Sequence, residues 1–466
     1  MSATLPIVDD PTRDYGDKII AVEPGGVEFI PLDERHGSPR QLLWTWTSPN
    51  MEFATIAVGI LGPLAFGLTF WQSVLAILLG TALGSFSQAA LSAWGPQHGL
   101  PQMVLSRSAF GFLGNVLPAG LNAVVAGIGW FAVNSVSGAL ALHALSHLPK
   151  GVCLVIVVAV QLLVAFFGHN LVQAFERYAF PVLAVVFVVA SIIVLSKAHP
   201  GAAPSYHGGI GGFLIMFGAT FGYAAGWNPY ASDYTRYLAP ETSRPAVALW
   251  SGLGIFGSCV LLEVAGAAVV TAGKTAVDPS SFTGLLPTWI GKLVLLCICL
   301  GAIAANAINI YSGSISFMAL GIRLPTHAAR AAVALVFGVL GLIVAFTGLH
   351  NAGETYENFL LVISYWIGPW LGVVFVDRVL RRGTDIQSLL GDTRHRNWAG
   401  PISMAVAMAV SIWLFSNQTK YVGLIPKHHP AFGDLTFEVG FAIAALGYLL
   451  LSRVWRSAGA AGGVGG

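Results

Sequence analysis

Charge is what this 466-residue chain has least of: Asp, Glu, Lys and Arg make up only 9% of it, against 55% hydrophobic residues and a mean hydropathy of +0.74. A soluble domain carries about 25% charged residues, so a water-exposed globular fold is excluded. Cysteine is scarce too. The four copies, Cys153, Cys259, Cys297 and Cys299, all fall in apolar runs, and the last two sit two apart on one helix and so on different faces. A disulfide framework and a thiolate metal site are both ruled out. His143 and His147 have the i,i+4 spacing that can share a metal, but no third ligand stands near, and a helix end at a membrane interface accounts for them. Alternating segments of about 10 residues are missing, which excludes a membrane barrel. No basic stripe with interleaved aromatics exists outside the apolar runs, so nucleic acid is not a partner.

What is present is a series of continuous apolar runs, each near the roughly 20 residues that a helix needs to cross a bilayer. They fall at 44–70, 74–94, 115–143, 151–168, 177–196, 210–232, 245–272, 289–320, 329–349, 358–377, 400–417 and 435–453, numbered here as spans 1 to 12. If the N-terminus is cytoplasmic, the inner loops and tails collect every Arg, for instance Arg35, Arg107, Arg177, Arg244, Arg323 and Arg381, while the outer segments carry only Lys. The positive-inside rule therefore puts both termini in the cytoplasm. Residues 1–40 are polar, hold Asp9, Asp10, Asp14 and Asp17, and lack the apolar core of a secretion signal, so they read as a cytoplasmic tail. Without a targeting presequence, a bacterial inner membrane is the expected location. The tail 456–466, ending "SAGAAGGVGG", has nothing with which to bury a core and is expected to be disordered.

Polar groups left unsatisfied in a bilayer cost several kcal/mol, so those retained inside spans face the protein interior or a wet path. Span 1 contains "SPNMEFATIAVGILGP", with Pro49, Asn50, Glu52, Thr55 and Gly59; span 6 contains Gly218, Gly222, Gly226, Asn228 and Pro229. Either pattern alone is compatible with close packing and a kink. Together, five spans apart, they point to a transporter of two inverted five-helix repeats whose first helices are each broken at mid-membrane. A broken helix frees backbone groups to meet a polar ligand, and Trp227 supplies a flat face beside the break in span 6.

Span 3 has "GIGWFAVNSVSGA", which sets Trp130 and Asn134 one turn apart on the same side of a helix. An aromatic shelf and an amide then reach one planar ligand together. Span 8 has "AIAANAINIYSGS", with Asn306 and Asn309 at i,i+3; such residues also bond helices to each other, but an amide both donates and accepts, as a nucleobase edge requires.

The stretches "GVEFIPLDERHG" (26–37), "GWFAVN", "GWNPYASDYTRYLAP" (226–240), "ANAINIYS" and "GPWLGVVFVDRVLRRG" (368–383), in this order, resemble the nucleobase:cation symporter family, specifically its purine/cytosine permease branch. The resemblance covers about residues 20–455. It implies an all-α membrane protein of the leucine-transporter type: a tail at 1–40, spans 1–5 (41–200) and 6–10 (205–383) as inverted repeats, and spans 11–12 (398–455) appended. It further implies alternating access around a central site. Trp130 matches the family's stacking tryptophan, Asn134 its amide one turn on, and Asn306 the span 8 asparagine that bonds the ring. Trp227 is the first choice for the opposing aromatic and Tyr223 the second, with Thr55, Gly226 and Asn309 beside them. Asp233 and Arg236 are expected at the water-accessible inner end of span 6, paired with each other.

Sodium-coupled relatives place two hydroxyls on span 8, five to six residues before the asparagine; here those positions are Leu300 and Gly301, and no Ser or Thr occurs between Lys292 and Asn306. A hard cation needs oxygen ligands. Proton coupling is therefore expected, with sodium as the alternative, and Glu52 in span 1 and Glu263 in span 7 are the titratable candidates. Glu52 is favoured because it lies closer to the expected substrate; Glu263 also suits a structural bond to a neighbouring helix. "GLPQMVLSRSAFG" (99–111) reads as a short amphipathic interfacial segment holding Arg107, and "IGPW" in span 10 as a hinge. The expected function is import of a nucleobase, cytosine or a purine, with no cofactor, no metal and no obligatory protein partner besides the lipid bilayer. The runner-up keeps the fold but carries allantoin, a hydantoin, a vitamin or another small nitrogenous compound. No repeated pore-lining helix argues for a channel, and no nucleophile with base and orienting partner argues for an enzyme.

Overall fold

A computed structural model describes residues 26–166, 169–322, 327–349 and 352–461. Among them no strand occurs; the backbone is helical, with two isolated antiparallel bridges, Gly111 to Arg396 and Asn417 to Val422. The main helices are α1 (Gln41–Thr47), α2 (Phe53–Ala65), α3 (Phe70–Ser92), α4 (Val116–Val124), α5 (Phe131–Ser146), α6 (Lys150–Phe166), α7 (His169–Ser196) and α8 (Gly209–Ala225). They continue with α9 (Ala231–Thr235), α10 (Arg244–Thr271), α11 (Thr288–Met318), α12 (His327–Gly348), α13 (Ala352–Leu380), α14 (Ala399–Phe415) and α15 (Thr436–Ala461). Eight described helical segments are long and apolar enough to cross a bilayer, and four shorter apolar ones, Phe53–Ala65, Lys150–Val164, Ala332–Gly348 and Ala399–Phe415, stand where the sequence places the remaining spans.

Local chemistry sets these boundaries. Leading into α3, Gly67 takes a left-handed φ of +61°, which a residue without Cβ adopts freely. A capping box then starts the helix: Thr69 Oγ1 accepts the Gln72 N–H, and the Gln72 side chain accepts the Thr69 N–H at 2.9 Å. Down α3, Trp71, Leu75, Leu79, Leu83 and Phe86 form one exposed apolar stripe, which in a membrane protein is the lipid-facing side. Its opposite face packs against α8 and α10. Helices α2 and α10 touch backbone to backbone: a Cβ on Gly59 would stand 1.7 Å from the Glu263 carbonyl oxygen, and one on Gly266 2.0 Å from that of Ile56. Only glycine permits that approach. The most enclosed long segment is α11, which packs against α5 and α7.

Several expectations change. The segment 99–111 is buried throughout rather than interfacial. Arg107 lies inside, its Nη1 donating to the Leu390 carbonyl (3.1 Å) and its Nη2 to that of Ala319 (3.0 Å), with the guanidinium over the Phe112 ring. Burial without a carboxylate pushes its pKa down to about 10. The Gly368–Pro369 step lies within unbroken α13, so it does not interrupt the helix. Residues 456–461 continue α15 as helix, because Ala and Ser at its end extend a helix at little cost; 462–466 lie outside the described residues. Finally, 26–37 is docked rather than free: Ile30 N–H donates to Gly99 O (3.0 Å), His36 N–H to Tyr237 O (2.7 Å) and Arg35 Nη1 to Pro96 O (2.6 Å).

Candidate substrate and coupling site

Two interruptions bring the site together. Between α1 and α2 the chain makes a 3-10 turn at Ser48–Asn50, where Pro49 has no N–H to give, and then runs extended through Glu52 (φ −152°, ψ 179°). Between α8 and α9 it loosens through Gly226 and Trp227 into the 3-10 turn Asn228–Tyr230. The two breaks bond to each other. Trp227 Nε1 donates to Asn50 Oδ1 at 3.0 Å, Asn50 Nδ2 to the Trp46 carbonyl at 2.7 Å, and Thr55 Oγ1 meets both Asn50 O and the Tyr223 hydroxyl.

Trp130 closes a π-helical turn, Val125–Trp130, that joins α4 to α5; such bulges are often found at functional sites. Its ring lies parallel to that of Trp227, with an interplanar angle of 7° and centroids 6.5 Å apart. Tyr223 and Phe359 meet Trp130 edge-on, at 5.5 and 5.1 Å. A Cβ on Gly226 would come within 3.1 Å of Trp130 Cζ2, so glycine there lets the end of α8 close on the indole. Both aromatics considered for span 6 thus reach Trp130, Trp227 face to face and Tyr223 by its edge.

One turn along, three amides interlock. Asn306 Oδ1 accepts from Asn134 Nδ2 and from Asn309 Nδ2, each at 3.2 Å, while Asn306 Nδ2 donates to the Phe131 carbonyl (2.9 Å) and to Ser135 Oγ (3.1 Å). Both lone pairs and both hydrogens of Asn306 are therefore used within the protein. In this arrangement it orients Asn134 and Asn309. Asn309 Oδ1 is buried without a hydrogen-bond partner among the described residues.

Glu52 is buried in the break, its Oε2 receiving a 2.5 Å bond from Ser137 and its Oε1 left unpartnered. Glu263 is equally buried, bonded by Thr81 Oγ1 at 2.9 Å, a tie between α10 and α3. Gly301 presses on the same break: a Cβ there would lie 2.2 Å from the Met51 carbonyl oxygen and 2.8 Å from Glu52 Cβ. A cavity of about 130 Å³ opens beside it, lined among others by Phe53, Gly129, Ser137, Tyr356 and Phe359. Just beyond the span 6 break Asp233 and Arg236 are buried, not water-exposed. Asp233 Oδ1 accepts the Gln102 N–H (2.9 Å); Arg236 donates to the Gly26 carbonyl (2.6 Å) and the Tyr311 hydroxyl (3.1 Å).

The sequence reading placed Asn50 in the span 1 break without giving it a site role, and omitted Ser137, Tyr356 and Phe359. Asn50 had a signal, a polar residue next to a proline within a span; the other three are unremarkable until the helices meet.

A family of permeases for cytosine/purines, uracil, thiamine and allantoin matches residues 29–440. The chain belongs to this family. It is a multi-pass membrane permease, not an enzyme. Among its relatives, the putative purine-cytosine permease YxlA of Bacillus subtilis is 29% identical over 93% of this chain and 96% of that protein. The purine-cytosine permease fcyB of Emericella nidulans is 29% identical over 94% and 92%. The permease shares the leucine-transporter type fold of Mhp1, a nucleobase-cation-symport-1 family transporter solved closed with bromovinylhydantoin bound: TM-score 0.74, 20% identity, 93% of this chain and 95% of that one.

Proposed function

We propose that this permease imports a nucleobase, cytosine or a purine, together with a proton, by alternating access. The observation that carries the reading is the parallel Trp130–Trp227 pair with an amide cluster one turn away. Two parallel indoles grip a planar heterocycle by its faces, and amides read its edge. The unpartnered acceptor on Asn309 favours a base with an exocyclic amine, cytosine or adenine, over uracil. Thr55, Tyr223 and Gly226 hold the breaks against Trp130 rather than touching the edge of the base.

Proton coupling rests on three features. Span 8 offers no hydroxyl between Lys292 and Asn306, Gly301 leaves no room between itself and the Met51 carbonyl, and Glu52 sits at the break with Ser137, which lines the cavity. Glu52 is the coupling carboxyl in this scheme, and Glu263 fastens α10 to α3. The frame is twelve spans with both termini cytoplasmic in a cell (inner) membrane. Residues 41–200 and 205–383 form the inverted repeats, 398–455 the appended pair. The breadth of the family supports one runner-up, the same fold carrying allantoin or a related compound, with sodium as the coupled ion.

The test is uptake of radiolabelled cytosine, adenine, hypoxanthine, uracil and allantoin into proteoliposomes, under a proton gradient and separately a sodium gradient. Proton-driven accumulation of cytosine or a purine is expected. Glu52→Gln should keep substrate exchange and abolish pH-driven accumulation; unchanged accumulation in that variant removes Glu52 from the scheme. Sodium-driven uptake overturns the ion, and uptake of allantoin alone overturns the cargo.

A further inference from the structure

A third carboxyl lies deep in the bundle and has no part in the scheme so far. Glu176 on α7 is fully buried, and among the described residues the Ser48 hydroxyl is the one hydrogen-bond donor near its carboxyl, with no well-formed bond made to either oxygen. Its place is specific. The Ser48 hydroxyl, in the 3-10 turn that breaks span 1, donates to the Glu176 backbone carbonyl at 3.0 Å, and three residues earlier Gln173 Oε1 accepts from Thr45 of α1 at 2.9 Å. The same face of α7 is thus pinned to the α1 side of the break, whereas Glu52 stands on its α2 side against Ser137 and the cavity.

Charged neighbours do not explain the carboxyl. α7 packs against α1, the Ser48–Asn50 turn, α6, α10 and α11. Among the described residues of these elements no acid or base acts on Glu176 appreciably, and Ser48 is its one polar neighbour there. Arg177, next on α7, is exposed and turned about 100° away. Tyr234 of α9 lies within electrostatic reach. From Tyr234 polar groups lead toward the docked N-terminal segment: its ring contacts Tyr311 at 5.6 Å, Tyr311 OH accepts from Arg236, and Arg236 donates to Gly26.

We propose that Glu176 is a second protonation site, the one from which the coupled proton leaves on the side of the docked N-terminal segment; this rests on the proton-symport reading above. Fully buried, with no cation beside it and only the Ser48 hydroxyl near, an ionised carboxylate here would be heavily penalised, so the group keeps its proton while it stays buried. A hard cation is not the ligand, since it would need about six oxygens and the Ser48 hydroxyl is already committed to the Trp44 and Glu176 carbonyls. When α1 and the Ser48–Asn50 turn swing from α7, water enters. The carboxyl O–H bond then breaks, the proton passes to a water molecule as hydronium, and the carboxylate left behind is hydrated. The break in span 1 keeps the two stations apart, so Glu52 answers to the cavity side and Glu176 to the other.

The experiment uses right-side-out membrane vesicles carrying the full chain, radiolabelled cytosine, and pH set independently outside and inside. Wild type should accumulate cytosine by up to about tenfold per pH unit of inward proton gradient. Glu176→Gln should lower the accumulation ratio to about one and make counterflow indifferent to luminal pH, while its dependence on external pH persists; Glu52→Gln should also abolish accumulation but make counterflow indifferent to external pH, while its dependence on luminal pH persists. Glu176→Asp, which retains a carboxyl, should recover luminal pH dependence. Wild-type accumulation and luminal pH dependence in Glu176→Gln would overturn the inference and leave proton symport standing. Loss of counterflow in both Glu176 variants would also overturn it, by showing a structural role. Wild type that accumulates no base under a proton gradient would overturn both readings.

Discussion

Replacing Trp130 by Ala removes one of the two parallel faces between which the base is proposed to lie, and the cost follows from the geometry. The indole centroids stand 6.5 Å apart at an interplanar angle of 7°, which sets the widest gap the two planes can leave. A ring stacked between them needs about 3.5–4.0 Å on each side, so binding must widen the slot by at least roughly 0.5–1.5 Å. Substrate is therefore expected to move span 3 against span 6 by about 1 Å or more as it binds. Base–aromatic stacking contributes about 1–3 kcal/mol per face, so Trp130→Ala should weaken cytosine binding roughly 5- to 150-fold. Trp130→Phe, which keeps a face and loses area, should fall at the low end of that range. The assay is equilibrium binding of radiolabelled cytosine to purified protein, with a thermal melt of each variant to separate lost affinity from lost fold. A Trp130→Ala protein that melts like wild type and binds cytosine within twofold of it would refute the stacking site.

Three further outcomes are expected. Gly59→Val brings a side chain to within 1.7 Å of the Glu263 carbonyl oxygen and must force α2 off α10; a destabilisation of about 1–3 kcal/mol or more should appear as a lower melting temperature, and a wild-type melt would contradict the close crossing. Asn309→Ala should mainly reduce affinity, whereas Asn306→Ala also strips the partner from Asn134 and Asn309 and should cost stability as well, by about 1–3 kcal/mol. Equal melts for the two would place Asn306 outside the network. Gly301→Ser supplies the hydroxyl that sodium-coupled relatives carry, but its Cβ would meet the Met51 carbonyl at 2.2 Å, so it should reduce folded yield and confer no sodium dependence. Sodium-stimulated uptake in that variant would show that a cation site fits there after all.

Much of the site was legible because its signals are local. Trp130 and Asn134 share a helix face at i,i+4 whatever surrounds them, and Pro49 and Pro229 interrupt hydrogen bonding wherever they stand. The role of Asn306 was not legible: whether an asparagine meets a ligand or is saturated depends on the Phe131 carbonyl, Ser135 and two other amides from elsewhere in the chain. Glu176 escaped for a related reason. Seven residues into α7 and next to Arg177, it reads as the polar start of a span, and only the packing of α1 across it removes it from water. Arg107 misled in the same way, because a basic residue in a short polar connection looks interfacial until other loops close over it.

Composition and periodicity alone determined that the chain lives in a bilayer as helices, since 55% apolar residues with 9% charge cannot be hydrated and every backbone amide in lipid must be satisfied within its own segment. Residue type and spacing also marked where helices break and which faces carry amides and indoles. Tertiary structure alone decided which of these groups are spent on one another and which remain free. A hydrogen bond such as Ser137 to Glu52, a stack such as Trp130 on Trp227, and the isolation of Glu176 each join or separate residues far apart in sequence. Their energies exist only at contact distance, and no pattern along a single helix encodes them.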